Sequence, residues 1–386
     1  MANMLDYLAW RGDLTFAERP LNEVDNLIFS ELAYDRLDSV VPAPGEGSLP
    51  LPEVCRGCDA AGQGGGFFRN DPRPLLRKAA ASPRFAEVLV SDFVNEVNNE
   101  AHIQFCAVTF TLPGGARFIA YRGTDDSIVG WREDFNFSFL EETPGQSQAV
   151  RYLNAAAGDT APLYVGGHSK GGNLAMYAAA FCDPAVKARI RAVYSNDGPG
   201  FNSTVTDTPE YRAILPVARQ IIPEASLIGI LLSTQAERTV IRSSAEGIQQ
   251  HNPNTWEVEG TAFVPAAQRD SSQMAGETVE LWLSRLTPQE RENLTSAIFD
   301  TLDSAGVDTL PELGANPWAS YNAMMRSLLE MDADRRSEVL GTWKKLAAST
   351  GEVVKEEMQS RLNRLRRQIA AKTGIGAPAE EQAGDA

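Results

Sequence analysis

Gly167-His168-Ser169-Lys170-Gly171 is the stretch of this chain whose residue types and spacing most directly permit covalent chemistry. A serine flanked by glycines in this way sits on a sharp turn that lifts its hydroxyl clear of the backbone, in a sparsely populated conformation. A Cβ at either glycine would collide with the neighbouring strand or helix. An apolar run, Pro162-Leu163-Tyr164-Val165, precedes the turn, and a small-residue run from Asn173 to Ala180 follows it. The order is strand, turn, helix. The helix N-terminus beneath Ser169 then offers free N–H groups and a positive partial charge to a developing oxyanion. The five letters alone are weak, and a glycine-rich packing turn is the plain alternative. A phosphate-cradling Walker loop does not fit, because here Ser169 precedes Lys170.

A serine nucleophile at neutral pH needs a base that titrates near 7, and histidine is the usual one. The chain offers His102, His168 and His251. His168 adjoins the serine, and adjacent side chains on such a turn diverge. His102 lies before the first core strand, against the chain order Ser, Asp, His of this type of turn. His251 remains, in the polar loop Gln249–Pro253 after the strand-like Arg238–Ile241. The third member should be a carboxylate on a loop after a later strand. Ala192–Ser195 reads as that strand and Asn196-Asp197-Gly198-Pro199-Gly200 as its loop, so Asp197 is the first choice to orient the imidazole. Asp207, Glu224, Glu237 and Glu246 are runners-up, and an Asx-turn role for Asp197 is the alternative. For the oxyanion, the Lys170 N–H is one donor. Thr124, in the turn Arg122-Gly123-Thr124 after the strand Arg117–Tyr121, is the other. Arg122 then reads as a scaffold cation paired with a carboxylate such as Asp134.

These segments carry a resemblance. Phe118–Thr124, Gly130-Trp131-Arg132-Glu133-Asp134-Phe135 and Gly167–Asn173 resemble the fungal-type (class 3) lipases. That likeness implies Ser169 as nucleophile and Thr124 and Lys170 as oxyanion donors. A closer likeness is to a bacterial lipase-like family of unknown function. It rests on an opening like Leu5–Asp13, on Asn196–Phe201 and on Gln250–Val258. It spans roughly residues 1–265 and is strongest over 103–262. Fungal lipases carry their acid after a later strand, where this chain reads Ile222-Pro223-Glu224-Ala225-Ser226. Asp197 instead resembles the acid of pancreatic-type lipases, one strand earlier.

Around this constellation, 43 % apolar content supports a large core, and a net charge of −16 argues against nucleic acid or an anionic membrane as a partner. Four cysteines do not make a disulfide framework. Cys55-Arg56-Gly57-Cys58 has no second pair, so a loop with two thiols is favoured over a zinc site, and Cys106 and Cys182 fall in core-like segments. No signal peptide or membrane-length run is visible, which implies a cytoplasmic protein with reduced thiols and no stable membrane insertion.

Strand–helix alternation implies an α/β-hydrolase fold with a mostly parallel central sheet over residues 1–267. Residues 1–40 are rich in helix, 103–122 read as a hairpin turned at Pro113-Gly114-Gly115, and a helix is expected near 146–157. The glycine-rich segment within 41–75, with Phe67 and Phe68, is either a lid or a plain loop. Ile221, Ile222, Leu227, Ile228, Ile230, Leu231 and Leu232 are suited to line an acyl site, with core packing as the default for any one. Residues 268–372 read as a helical extension: Thr287-Pro288-Gln289-Glu290 is a capping box, and a last amphipathic helix is expected over about 333–371. It is suited to docking on the hydrolase or to self-association. Residues 373–386 read as a disordered acidic tail.

The expected function is a serine hydrolase that cleaves small-molecule or lipid carboxylic esters through an acyl-enzyme, with Ser169, Asp197 and His251 as triad and no metal or organic cofactor. A catalytically silent hydrolase fold used for binding, and an acyltransferase or thioesterase with the same triad, are the rival readings.

Overall fold

A computed structural model of the chain describes residues 1–61, 73–98, 103–124, 136–137, 140, 142–304 and separate positions between 337 and 355. Eight strands build one sheet in which spatial order equals chain order. They are β1 (Ser48–Pro50), β2 (Leu89–Asn98), β3 (Ile103–Thr111), β4 (Arg117–Tyr121), β5 (Leu163–His168), β6 (Ile190–Asn196), β7 (Ala218–Pro223) and β8 (Glu237–Ile241). Strands β1 to β4 pair antiparallel, with β3 and β4 joined as the expected hairpin, and β4 to β8 run parallel. The fold is α/β with a mostly parallel central sheet flanked by helices, as the strand–helix alternation implies.

The strand order dictates the layers. Right-handed crossovers between sequential parallel neighbours all leave the sheet toward the same side. Counting helices along the chain, α1 is Met4–Arg11, α2 Glu23–Leu32, α3 Leu51–Ala61, α4 Arg73–Ala81 and α5 Pro83–Ala86. The crossover helices follow: α6 (Pro144–Ala156), α7 (Lys170–Phe181), α8 (Pro184–Lys187), α9 (Ser203–Thr206) and α10 (Pro209–Ile214). Leu153 of α6, Leu174 of α7 and Tyr211 of α10 share one core cluster with Ile119, Tyr121, Val165 and Val193 of the sheet. Phe118 and Ala120, which alternate with Ile119 and Tyr121 along β4, face a second cluster built on α1, α2, α3 and α4. The N-terminal helices thus cover the face that the crossovers leave bare.

Helix α2 is the keel of that layer. Asn22 Oδ1 accepts from the first turn of the helix and the Asn22 N–H donates back to Asp25 Oδ2, a complete capping box. Asp25 also accepts from Arg84 Nη2 at 2.5 Å and from Tyr7 Oη at 2.8 Å, with Arg84 and Asp25 both fully buried. Phe29 stacks on Phe118 of β4 at 5.0 Å between ring centroids.

Two sequence expectations change here. Cys55 and Cys58 lie on helix α3, not in a loop, because Pro52 and Glu53 suit the first turn of a helix. Both are buried, and Cys58 Sγ donates to the Arg36 carbonyl. Ile221 and Ile222 are core residues of β7 instead of acyl-site lining. Residues 62–72, with Phe67 and Phe68, and Asp134 lie outside the described residues, as do His102 and most of the helix expected over 333–371. Two further helices, α11 (Asp270–Ser284) and α12 (Pro288–Ser304), follow the sheet. Thr287 and Glu290 exchange the expected capping-box bonds at the start of α12.

Candidate active site

Ser169 occupies the bend between β5 and α7 with φ 57° and ψ −133°. An L-residue holds such a conformation only where its surroundings impose it. They do so through backbone packing: a Cβ on Gly171 would lie 2.1 Å from the Tyr121 carbonyl oxygen, and one on Gly167 would lie 2.4 Å from Gly171. Ser169 N–H donates to the Asn196 carbonyl at 2.9 Å, which ties the bend to the end of β6. Lys170 is the first residue of α7, within the first turn, whose N–H groups lie outside the helix's own hydrogen-bond ladder. The Lys170 ammonium is fully buried and donates back to Gln104 of β3, to the carbonyl at 2.7 Å and to Oε1 at 2.6 Å.

Asp197 follows β6 and also has positive φ, 49°. Its two carboxylate oxygens have separate partners. Oδ2 accepts from His251 Nδ1 at 2.6 Å, and Oδ1 accepts from Ser226 Oγ at 2.5 Å and Gly229 N–H at 3.1 Å. That bond leaves Nε2 of His251 as the ring's acceptor. Asp197 is fully buried and His251 is 8 % exposed. The loop after β8 holds the histidine through Gln250, whose Oε1 accepts from Ala225 N–H and whose carbonyl accepts from Trp256 Nε1. Arg238 of β8 lies within the field of Asp197; burial lowers its pKa, and the carboxylate works against that shift.

The runners-up for the acid are engaged elsewhere. Asp207 pairs with Arg212, Glu237 with Arg219, and Glu224 and Glu246 both with Arg269. His168 is buried and points away from solvent, its Nε2 donating to the His251 carbonyl at 2.9 Å. Its Nδ1 lies 3.9 Å from the buried carboxylate of Glu31 on α2.

Thr124 is half-buried at the end of the turn after β4. Its neighbour Gly123 donates to Tyr34 Oη at 2.7 Å, and a Cβ on Gly123 would come within 3.1 Å of Ser169 Cβ. The turn therefore runs directly against the elbow. Arg122 donates to Asn95 Oδ1 at 2.9 Å.

A cavity of about 270 Å³ opens beside Ser169 and Lys170. Ile228, Leu231 and Leu232 form its near wall, as three of the expected acyl-lining residues; Leu232 is held at φ 61°. Among the described residues, Ser169, Asp197 and Leu232 thus bring three of the five non-glycine positive-φ positions to one place. The far wall comes from α11 and α12.

Serine, acid, histidine and the Thr124 turn all sit beyond the carboxyl ends of β5, β6, β8 and β4, where open α/β sheets place their sites. A sequence model of the Mbeg1-like family matches residues 79–300, more than half of the chain. The chain belongs to the Mbeg1-like family. The matched span runs from the end of α4 into α12, and so holds Ser169, Asp197, His251 and both walls of the cavity. Among solved structures, the crystal structure of M37 lipase is similar at 16 % identity, with 53 % of this chain and 68 % of that chain covered and a TM-score of 0.35. No curated protein matches this Mbeg1-like chain.

Residues that sequence reading did not single out complete the site. Ser226, in the loop after β7, holds the second oxygen of Asp197. Its position in Pro223-Glu224-Ala225-Ser226 was legible only as the place where fungal lipases carry their acid. Glu31 of α2 and Tyr34 just after it come from the N-terminal layer, and nothing local in the sequence marks them.

Proposed function

We propose that this protein is a carboxylic ester hydrolase working through an acyl-enzyme. Ser169 Oγ attacks the substrate carbonyl as His251 Nε2 takes its proton, and Asp197 stabilises the resulting imidazolium through Nδ1–H. The backbone N–H of Lys170, with Thr124 from the facing turn, holds the oxyanion. His251 then returns the proton to the leaving alcohol. Water, activated by the same imidazole, hydrolyses the acyl-serine and releases the acid.

The observation that carries this reading is the 2.6 Å bond between His251 Nδ1 and Asp197 Oδ2, made at the strand ends that also present the strained Ser169. A glycine-rich packing turn does not by itself require a buried imidazole oriented by a carboxylate on a separate loop. An alkyl fluorophosphonate probe tests the proposal: the full chain should be labelled once, and Ser169→Ala should abolish labelling and hydrolysis of p-nitrophenyl esters. A folded wild-type protein that stays unlabelled would refute it.

A further inference from the structure

The cavity beside Ser169 is finished by a part of the chain outside the sheet. Val279, Trp282 and Leu283 of α11 and Leu294 of α12 roof it, and Leu286, between the helices, lies against it. Leu286 and Leu294 are themselves buried, so the far end is closed by protein.

Three polar atoms of this roof donate to protein acceptors. Trp282 Nε1 donates to the Thr342 carbonyl at 3.1 Å, and Arg291 Nη2 donates to the Leu283 carbonyl at 2.5 Å. Thr295 Oγ1 donates to the Arg291 carbonyl at 2.9 Å. What faces the cavity is chiefly aliphatic and aromatic carbon, and an apolar space of this kind selects an apolar occupant.

Its size limits that occupant. A methylene group is close to a water molecule in volume, roughly 30 Å³, so a space of 270 Å³ holds about nine of them. We propose that this is the acyl subsite, and that it takes a straight medium-length acyl chain of about eight to ten carbons. The inference rests on Ser169 as the nucleophile at its mouth. An acetyl group leaves most of the cavity empty, and a palmitoyl chain has more methylenes than the space holds. The helices that follow the sheet therefore set chain length.

A p-nitrophenyl ester series from acetate to palmitate, run on the full chain, tests it. The expected kcat/KM rises by about fourfold per methylene over the short chains, peaks at octanoate to decanoate, and falls at least about tenfold by palmitate. Trp282→Ala should move the peak to longer chains, and Leu231→Trp, which fills the near wall, should move it to shorter ones. Thermal unfolding identifies which variant is folded. A wild-type profile that is flat, or that peaks at acetate or palmitate, overturns the inference, as does a peak that neither folded variant moves. Calorimetric binding of decanoate against butyrate to Ser169→Ala separates the two levels. If Ser169→Ala binds decanoate while the folded wild-type protein cannot be labelled by a fluorophosphonate, the nucleophile falls and the subsite stands; a labelled wild-type serine with no preference for decanoate in Ser169→Ala sinks the subsite alone.

Discussion

His168 Nε2 and the main-chain oxygen of His251 lie 2.9 Å apart, and the two rings face each other with centroids 4.5 Å apart. The residue before the elbow thus fixes the backbone of the histidine loop, while the buried Glu31 and Trp256 hold the His168 ring from other sides. Small displacements of a base cost heavily in rate. His168→Phe, which keeps bulk and loses the donor, should lower kcat by about 10- to 100-fold with KM little changed. His168→Gln should recover part of the loss. Steady-state kinetics on p-nitrophenyl octanoate reads both.

Asp197→Asn should lower turnover by about 10³- to 10⁴-fold, since an amide at Oδ2 cannot favour the Nδ1–H tautomer and its charged form. Glu224→Gln and Glu246→Gln, which touch only the pairing with Arg269, should stay within a few-fold of wild type. A larger loss at Glu224 than at Asp197 would transfer the role of acid.

The Arg84–Asp25 pair is wholly buried, and Arg84 also donates to carbonyls of Leu14, Arg19 and Pro20. Arg84→Met leaves Asp25 charged in a dry site and should cost about 3–5 kcal/mol in urea unfolding.

Much of the site was legible because it is local. The elbow needs a few adjacent residues, and its glycines are required by contacts within one strand–turn–helix unit, so Gly167, Ser169 and Gly171 announce themselves. Asp197 and His251 followed from chain order and loop composition. The support from α2 was not legible. Asn26 Nδ2 donates to Asn196 Oδ1 at 2.8 Å, a contact that exists only because sequential strand order leaves one sheet face to the N-terminal helices. The stripe of Leu294 and its neighbours was readable as an apolar helix face, but its target was not. Periodicity says that a face is buried, not against what. The helix at Cys55–Cys58 was missed because flanking prolines and glycines outweighed its first-turn residues.

Glu23 supplies a pH test. Burial raises its carboxyl above the ordinary value of 4.5, while the Phe263 N–H bond works the other way. A folded-state value above the unfolded one gives stability that is full below the unfolded pKa and lost as pH rises through the folded pKa. Glu23→Gln can keep an oxygen for Phe263 and has no charge to desolvate. It should melt higher than wild type at neutral pH, and the difference should vanish below the ordinary carboxylate range.

All four cysteines are buried, and burial pushes the thiols of Cys58 and Cys182 up to about 12 and about 11. The native protein should therefore resist a thiol reagent at mildly alkaline pH and react fully in denaturant, as colour release from the aromatic disulfide dithiobis(nitrobenzoate) reports.

Sheet neighbours that are also chain neighbours have a temporal meaning. During synthesis each new strand can dock on the one made just before it, without waiting for a distant partner. The serine bend is laid down first, the acid and the imidazole after it, and the greasy ceiling last. A half-made chain holds a hydroxyl with no partner to sharpen it, so on the proposed assignment its reactivity begins only once the His251 loop has left the ribosome.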